Sequence, residues 1–197
     1  MQRIQFCLIL ALLVALVGCG KKEEGGETTA TTPPAKTSTT TEPEASTTSS
    51  IDESKVVGEW KMASEQGNTT VDSDISIKDD GTFVNSGTIT GVTDGEDAKV
   101  TVTASYTMEG KWKLENGSIS TTPDSVEATV EDVQIEAKDP ANQAALEAGK
   151  EELKTKAAAQ MKDSMNKPST SKVESATDEK LSLVAEGGVK VEYTRKK

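Results

Sequence analysis

Between positions 98 and 108 the chain alternates without a lapse. Ala98, Val100, Val102, Ala104, Tyr106 and Met108 fall on one side; Lys99, Thr101, Thr103, Ser105 and Thr107 fall on the other. A period of two sends these sets to opposite faces of a strand, one buried and one wet. Such a strand needs antiparallel neighbours with the same one-sided pattern, and the chain supplies them. Residues 57–62 read as a first strand, and Val71, Ile75 and Ile77 share one face of a second. Lys78-Asp79-Asp80-Gly81 is a tight-turn signal leading into Thr82-Phe83-Val84. Residues 110–114 continue the long strand to a hairpin turn at Asn116-Gly117. Another strand follows from Val126, where the apolar positions are even (Val126, Ala128, Val130) and then odd (Val133, Ile135, Ala137). One extra residue near Glu131-Asp132 accounts for the switch, so a β-bulge is predicted there.

Asp139-Pro140 opens a helix, with Asp as N-cap and Pro in the first turn, and Lys167-Pro168 closes it. Between them, residues 144–165 are rich in helix formers. The apolar stripe is thin (Leu146, Leu153, Ala157, Met161, Met165), so this helix, near 140–166, is read as a surface insertion rather than a lid. A closing hairpin follows, from Leu181-Ser182-Leu183-Val184 through Gly187-Gly188 to Tyr193. The fold class is mainly β: an antiparallel up-and-down barrel of about eight strands with one helix inserted before the final hairpin.

Little here suggests catalysis. The sequence has no histidine, so the commonest general base and metal ligand is missing. The acidic pairs Asp72/Asp74, Asp79/Asp80 and Glu131/Asp132 lack the alternate-ligand spacing of a calcium loop, and hairpin turns favour Asp in any case. No phosphate-cradling glycine loop or nucleophile motif occurs. No catalytic residue, metal or cofactor is therefore expected. A net charge of -11 argues against nucleic-acid partners, which need clustered Lys and Arg.

Two stretches match as G-x-W-K-aliphatic: Gly58-Glu59-Trp60-Lys61-Met62 and Gly110-Lys111-Trp112-Lys113-Leu114. The first copy, with Tyr193-Thr194-Arg195 near the other end of the domain, resembles lipocalin-like domains. That resemblance implies a barrel closed by Gly58 and Trp60 on the first strand against Arg195 on the last. It also implies a small apolar or amphipathic ligand. The inward face of the long strand is the candidate lining (Val100, Val102, Ala104, Tyr106, Met108), with Trp112 and Tyr193 as neighbours. The alternative is a filled barrel acting as a non-catalytic structural or protein-interaction module, its partner unspecified.

The N-terminal region has a different logic. Arg3 precedes an apolar run, residues 6–17, too short to span a bilayer comfortably. It ends in Leu16-Val17-Gly18-Cys19, which resembles the lipobox of bacterial lipoproteins. By that resemblance residues 1–18 are a signal peptide, and Cys19 carries the lipid that holds the protein in the cell-envelope membrane. Gly20 stands where inner-membrane lipoproteins of Gram-negative bacteria usually carry Asp, which favours the outer membrane. Residues 20–50 contain Thr, Ser, Pro, Ala, Gly and charged residues but no large apolar one, the composition of a disordered tether with an r.m.s. reach of about 30 Å. The folded domain spans 51–197. Of the two cysteines, Cys7 leaves with the signal and Cys19 is acylated, so no disulfide staples the domain. Cys19→Ala is expected to abolish palmitate labelling and move the protein to the soluble fraction; unchanged fractionation would contradict the anchor.

Overall fold

The computed structural model describes residues 51–197; the signal, Cys19 and the tether lie outside the described residues. Eight antiparallel strands pair in sequence order and close into a barrel. They are β1 (Gly58–Gln66), β2 (Thr69–Ile77), β3 (Thr82–Asp94), β4 (Ala98–Glu115), β5 (Ser118–Ala137), β6 (Ser169–Ala176), β7 (Lys180–Ala185) and β8 (Lys190–Arg195). A single turn of helix, α1 (Glu53–Val56), precedes β1. Between β5 and β6 come a 3-10 turn (Pro140–Asn142), α2 (Gln143–Ala148) and α3 (Lys150–Met165).

The local signals act as their chemistry requires. Asn116 and Gly117 take φ values of 52° and 71°, as a two-residue hairpin turn demands. The Asp139 side chain accepts from the backbone N–H of Ala141 at 3.0 Å, capping the 3-10 turn in front of α2. In the β4–β5 ladder Thr103 faces Asp132 while Ala104 faces Val130, which leaves Glu131 as the extra residue of a bulge. That bulge lets Val126, Val130, Val133 and Ile135 all point inward despite their change of parity.

Several boundaries differ from the sequence reading. β3 runs on to Asp94 and β5 starts at Ser118, because a second register shift, at Glu109/Gly110, absorbs the residues around Pro123. The helix is broken at Gly149 into α2 and α3. Three strands follow it rather than a hairpin alone, since Ser169–Ala176 forms β6. Val173 is the single buried residue of β6, too little periodicity to reveal a strand.

The wall is uneven. β3, β4 and β5 have 13, 18 and 20 residues, whereas β6, β7 and β8 have 8, 6 and 6. β5 meets β6 only over residues 118–121, so its upper part has no strand on the flank away from β4. There α3 packs instead, its Leu153, Ala157, Met161 and Met165 in one cluster with Val102, Ala104, Val130, Val133 and Ile135. Met161 is the only buried residue of α3, as its thin stripe implied. The outward residues of β4 (Lys99, Glu109, Lys111, Lys113) are polar, not an apolar band facing lipid. Among the described residues no helix is long and apolar enough to cross a membrane.

At the base, β1 and β8 share only two register pairs, Trp60 with Arg195 and Lys61 with Thr194. Side chains reinforce this short seam. The Arg195 guanidinium lies 4.1 Å from the Trp60 ring centroid, within cation–π range. Its Nε donates to the Asp178 carbonyl at 2.7 Å, Nη1 to Val57 at 2.9 Å and Nη2 to Lys55 at 3.0 Å. Trp60 is fully buried and its indole N–H donates to the Val56 carbonyl at 2.8 Å. Gly58, at φ 148°, leaves the space the guanidinium fills; a Cβ there would overlap Nη1. Trp60→Ala should cost about 3–5 kcal/mol in urea unfolding. Gly58→Ala should also destabilise by displacing Arg195. A Trp60→Ala loss below about 1 kcal/mol would remove this seam from the structural account.

Candidate functional site

The base cluster (Trp60, Ile77, Phe83, Trp112, Ile119, Leu181) and the helix-covered cluster above it do not fill the barrel between them. A cavity of about 130 Å³ remains, with Ile75, Phe83, Met108, Trp112, Leu183 and Tyr193 in its wall. Asn85, Thr121, Ser169 and Ser171 add polar groups, and no charged side chain lines it. Ser169 and Thr121 pair at the point where β6 begins and the wall drops, and their hydroxyls lie 2.8 Å apart.

Register explains why a polar group sits inside. Ile75, Asn85 and Met108 stand side by side on β2, β3 and β4. The next row up holds Ser73, Gly87 and Tyr106. With no side chain on Gly87, the Tyr106 hydroxyl lies over that position, 3.0 Å from where a Cβ would stand. From there it donates a long hydrogen bond of 3.4 Å to Asn85 Oδ1, which also accepts from the buried Ser73 hydroxyl at 2.7 Å.

Both tyrosines of the chain point into this interior. Burial raises the Tyr106 phenol above its ordinary range, and hydrogen bonds to Ser73 and Asn85 oppose part of the rise. Burial pushes Tyr193 up to about 12, and the nearby Tyr106 adds to it. Tyr193 is partly buried and lines the cavity, and desolvation is the larger cause of its shift.

The residues expected to line a pocket therefore divide. Met108, Trp112 and Tyr193 reach the cavity. Val100, Val102 and Ala104 do not, because α3 packs over that face. Tyr106 packs in the same cluster and touches the site only through its hydroxyl bond to Asn85. Asn85, Ser169 and Ser171 were missed. A continued alternation from Phe83 would have placed Asn85 inward; the two serines carry no periodic signal. Gly58, Trp60 and Arg195 come together at the base, below the cavity.

A second concavity, about 390 Å³ and open, lies on the outer face of β1–β4 around Lys61, Asp72, Asp74, Ser86 and Thr107. Asp74 Oδ2 is 3.0 Å from the Lys196 ammonium, while its buried Oδ1 has no hydrogen-bond partner among the described residues. Among the described residues no group of three or more His, Cys, Asp or Glu is placed to hold a metal ion.

No protein-family model and no curated protein matches the chain. Among solved structures, an uncharacterized protein from Bacteroides eggerthii DSM 20697 is similar at 20% identity over 71% of this chain and 98% of that one. Its TM-score of 0.30 is too low to bear on fold or function.

The two phenols make a direct test. The native state holds their protons at pH values where the unfolded chain, with a tyrosine pKa of about 10, has released them. Stability should be complete below about pH 10 and fall as pH rises from there toward about 12, the Tyr193 value. The slope is at most about 1.4 kcal/mol per pH unit for one such group. Phenolate absorbance should rise at higher pH than for free tyrosine, or with unfolding, and Tyr193→Phe should make the alkaline loss shallower. Half-ionised tyrosine at pH 10 in folded protein would contradict the enclosure.

Proposed function

We propose that this chain is a lipid-anchored, non-catalytic protein of the bacterial cell envelope whose lipocalin-like barrel binds a small apolar or amphipathic molecule. The observation that carries the reading is the unfilled cavity of about 130 Å³, lined by apolar and uncharged polar side chains, inside a closed barrel. An eight-stranded barrel is just wide enough to be filled by side chains or to hold one small ligand, and here the filling is incomplete. Leu16-Val17-Gly18-Cys19 and the tether support display from a membrane, the outer membrane if the cell is Gram-negative. The Trp60–Arg195 contact supports the lipocalin-like comparison.

One observation favours a second reading, an interaction or spacer module. Pockets for drug-sized ligands are typically about 300–1,000 Å³, larger than this cavity. Helix α3 also occupies the apolar face that would have enlarged it. The two readings differ in what the interior carries. Native mass spectrometry of the protein purified from its own envelope should show an added mass released on unfolding. The bare polypeptide mass throughout would favour the filled module.

A further inference from the structure

Resting on the ligand-binding reading, we infer that the cavity takes an uncharged molecule about the size of one six-membered ring, carrying a hydrogen-bond acceptor that the Asn85 amide receives. Size comes first. An apolar cavity of about 150 Å³ accommodates benzene, and this one is about 130 Å³. A long acyl chain exceeds this volume.

Charge comes second. No Asp, Glu, Lys or Arg lines the cavity, so a charged ligand would lose its hydration without gaining a partner. The walls suit a ring: Phe83, Trp112 and Tyr193 offer aromatic surface and Met108 a polarizable sulfur.

Polarity completes the argument. Asn85 Oδ1 already accepts from Ser73 and Tyr106, which orients the amide so that its NH2 is the free end. That NH2 donates to no group among the described residues, and Asn85 lines the cavity. A ligand that carries an acceptor gains this donor as a partner, and one that lacks an acceptor does not. A ketone, ester, ether or hydroxyl oxygen would pair it. The Ser73–Asn85–Tyr106 arrangement is thus a preset donor that reads one oxygen on an otherwise apolar ring.

The test uses two probes of equal shape, cyclohexanone and methylenecyclohexane, which differ by an oxygen for a CH2. The full-length lipoprotein in detergent micelles is titrated with each while the two indole N–H resonances are followed by NMR. Trp112 lines the cavity and reports binding; Trp60, sealed at the base, is the internal control. Cyclohexanone should shift Trp112 and leave Trp60 in place, with at least tenfold higher affinity than methylenecyclohexane, and Asn85→Leu should erase that preference. Equal affinities in the wild-type protein would overturn the acceptor assignment while leaving ligand binding intact, and this comparison does not depend on the variant folding. A Trp112 resonance unmoved by either probe would overturn the inference whatever mass co-purifies.

Discussion

The seam that closes this barrel is reinforced by one guanidinium. β1 and β8 meet over two residue pairs, far too few for main-chain bonding alone to keep a sheet rolled up. Arg195 supplies what the ladder lacks. It stacks on Trp60 and donates to carbonyls from three places: the end of α1, the residue before β1, and the β6–β7 turn. The exposed ion pair between Lys55 and Asp178, 2.6 Å long, joins two of the same segments and adds little energy of its own. The guanidinium contributes differently, because it stacks on a buried indole and donates to three backbone carbonyls at once, two of them partly buried. Gly58 belongs to the same device, since any side chain there would take the space of Nη1.

Closure at the base frees the upper barrel to be irregular. Three long strands rise on one side and three short ones stop early on the other, and α3 stands in the gap. A helix of 16 residues is about 24 Å long, enough to cover the unpaired flank of β5 that would otherwise expose Val130, Val133 and Ile135. Its weak amphipathicity fits this duty, with one narrow row of contacts against the sheet and charged residues elsewhere, several in helical Glu–Lys pairs. The cavity lies against the base cluster, whose Ile77, Phe83, Trp112 and Ile119 line it. Both clusters have apolar cores, so the hydrogen-bonded group of Ser73, Asn85 and Tyr106, from two neighbouring rows of the sheet, stands out. Burying the Ser73 and Tyr106 hydroxyls is unfavourable unless they are hydrogen-bonded, and the partly buried Asn85 oxygen accepts from both.

Strand periodicity reads directly from sequence wherever one face is apolar and the other wet. β4 is legible for that reason, and so is the Glu131 bulge, since a change of parity within a continuous strand has few other causes. The Asn116-Gly117 turn and the Asp139 cap are local chemistry, decided by neighbours within a few residues. β6 was not legible, because its Ser- and Thr-rich residues are held by pairing with β5 and β7 rather than by a pattern of their own. The outer part of β3 was obscured for a related reason: small and polar residues such as Asn85, Ser86 and Gly87 break the apolar phase just where the interior needs room.

The sequence by itself determined the class of fold and the inward face of the long strand. Both follow from period and turn chemistry, which act over short spans; the meeting of Gly58, Trp60 and Arg195 was implied by a resemblance alone. Tertiary structure alone decided which part of that inward face is available. Helix α3 packs on Val102 and Ala104 and leaves Met108, Trp112 and Tyr193 beside the cavity. It also set Asn85 between Ile75 and Met108, where two hydroxyls orient its amide. Neither outcome has a local cause, because both depend on strand register and on how far one wall of the barrel rises above the other.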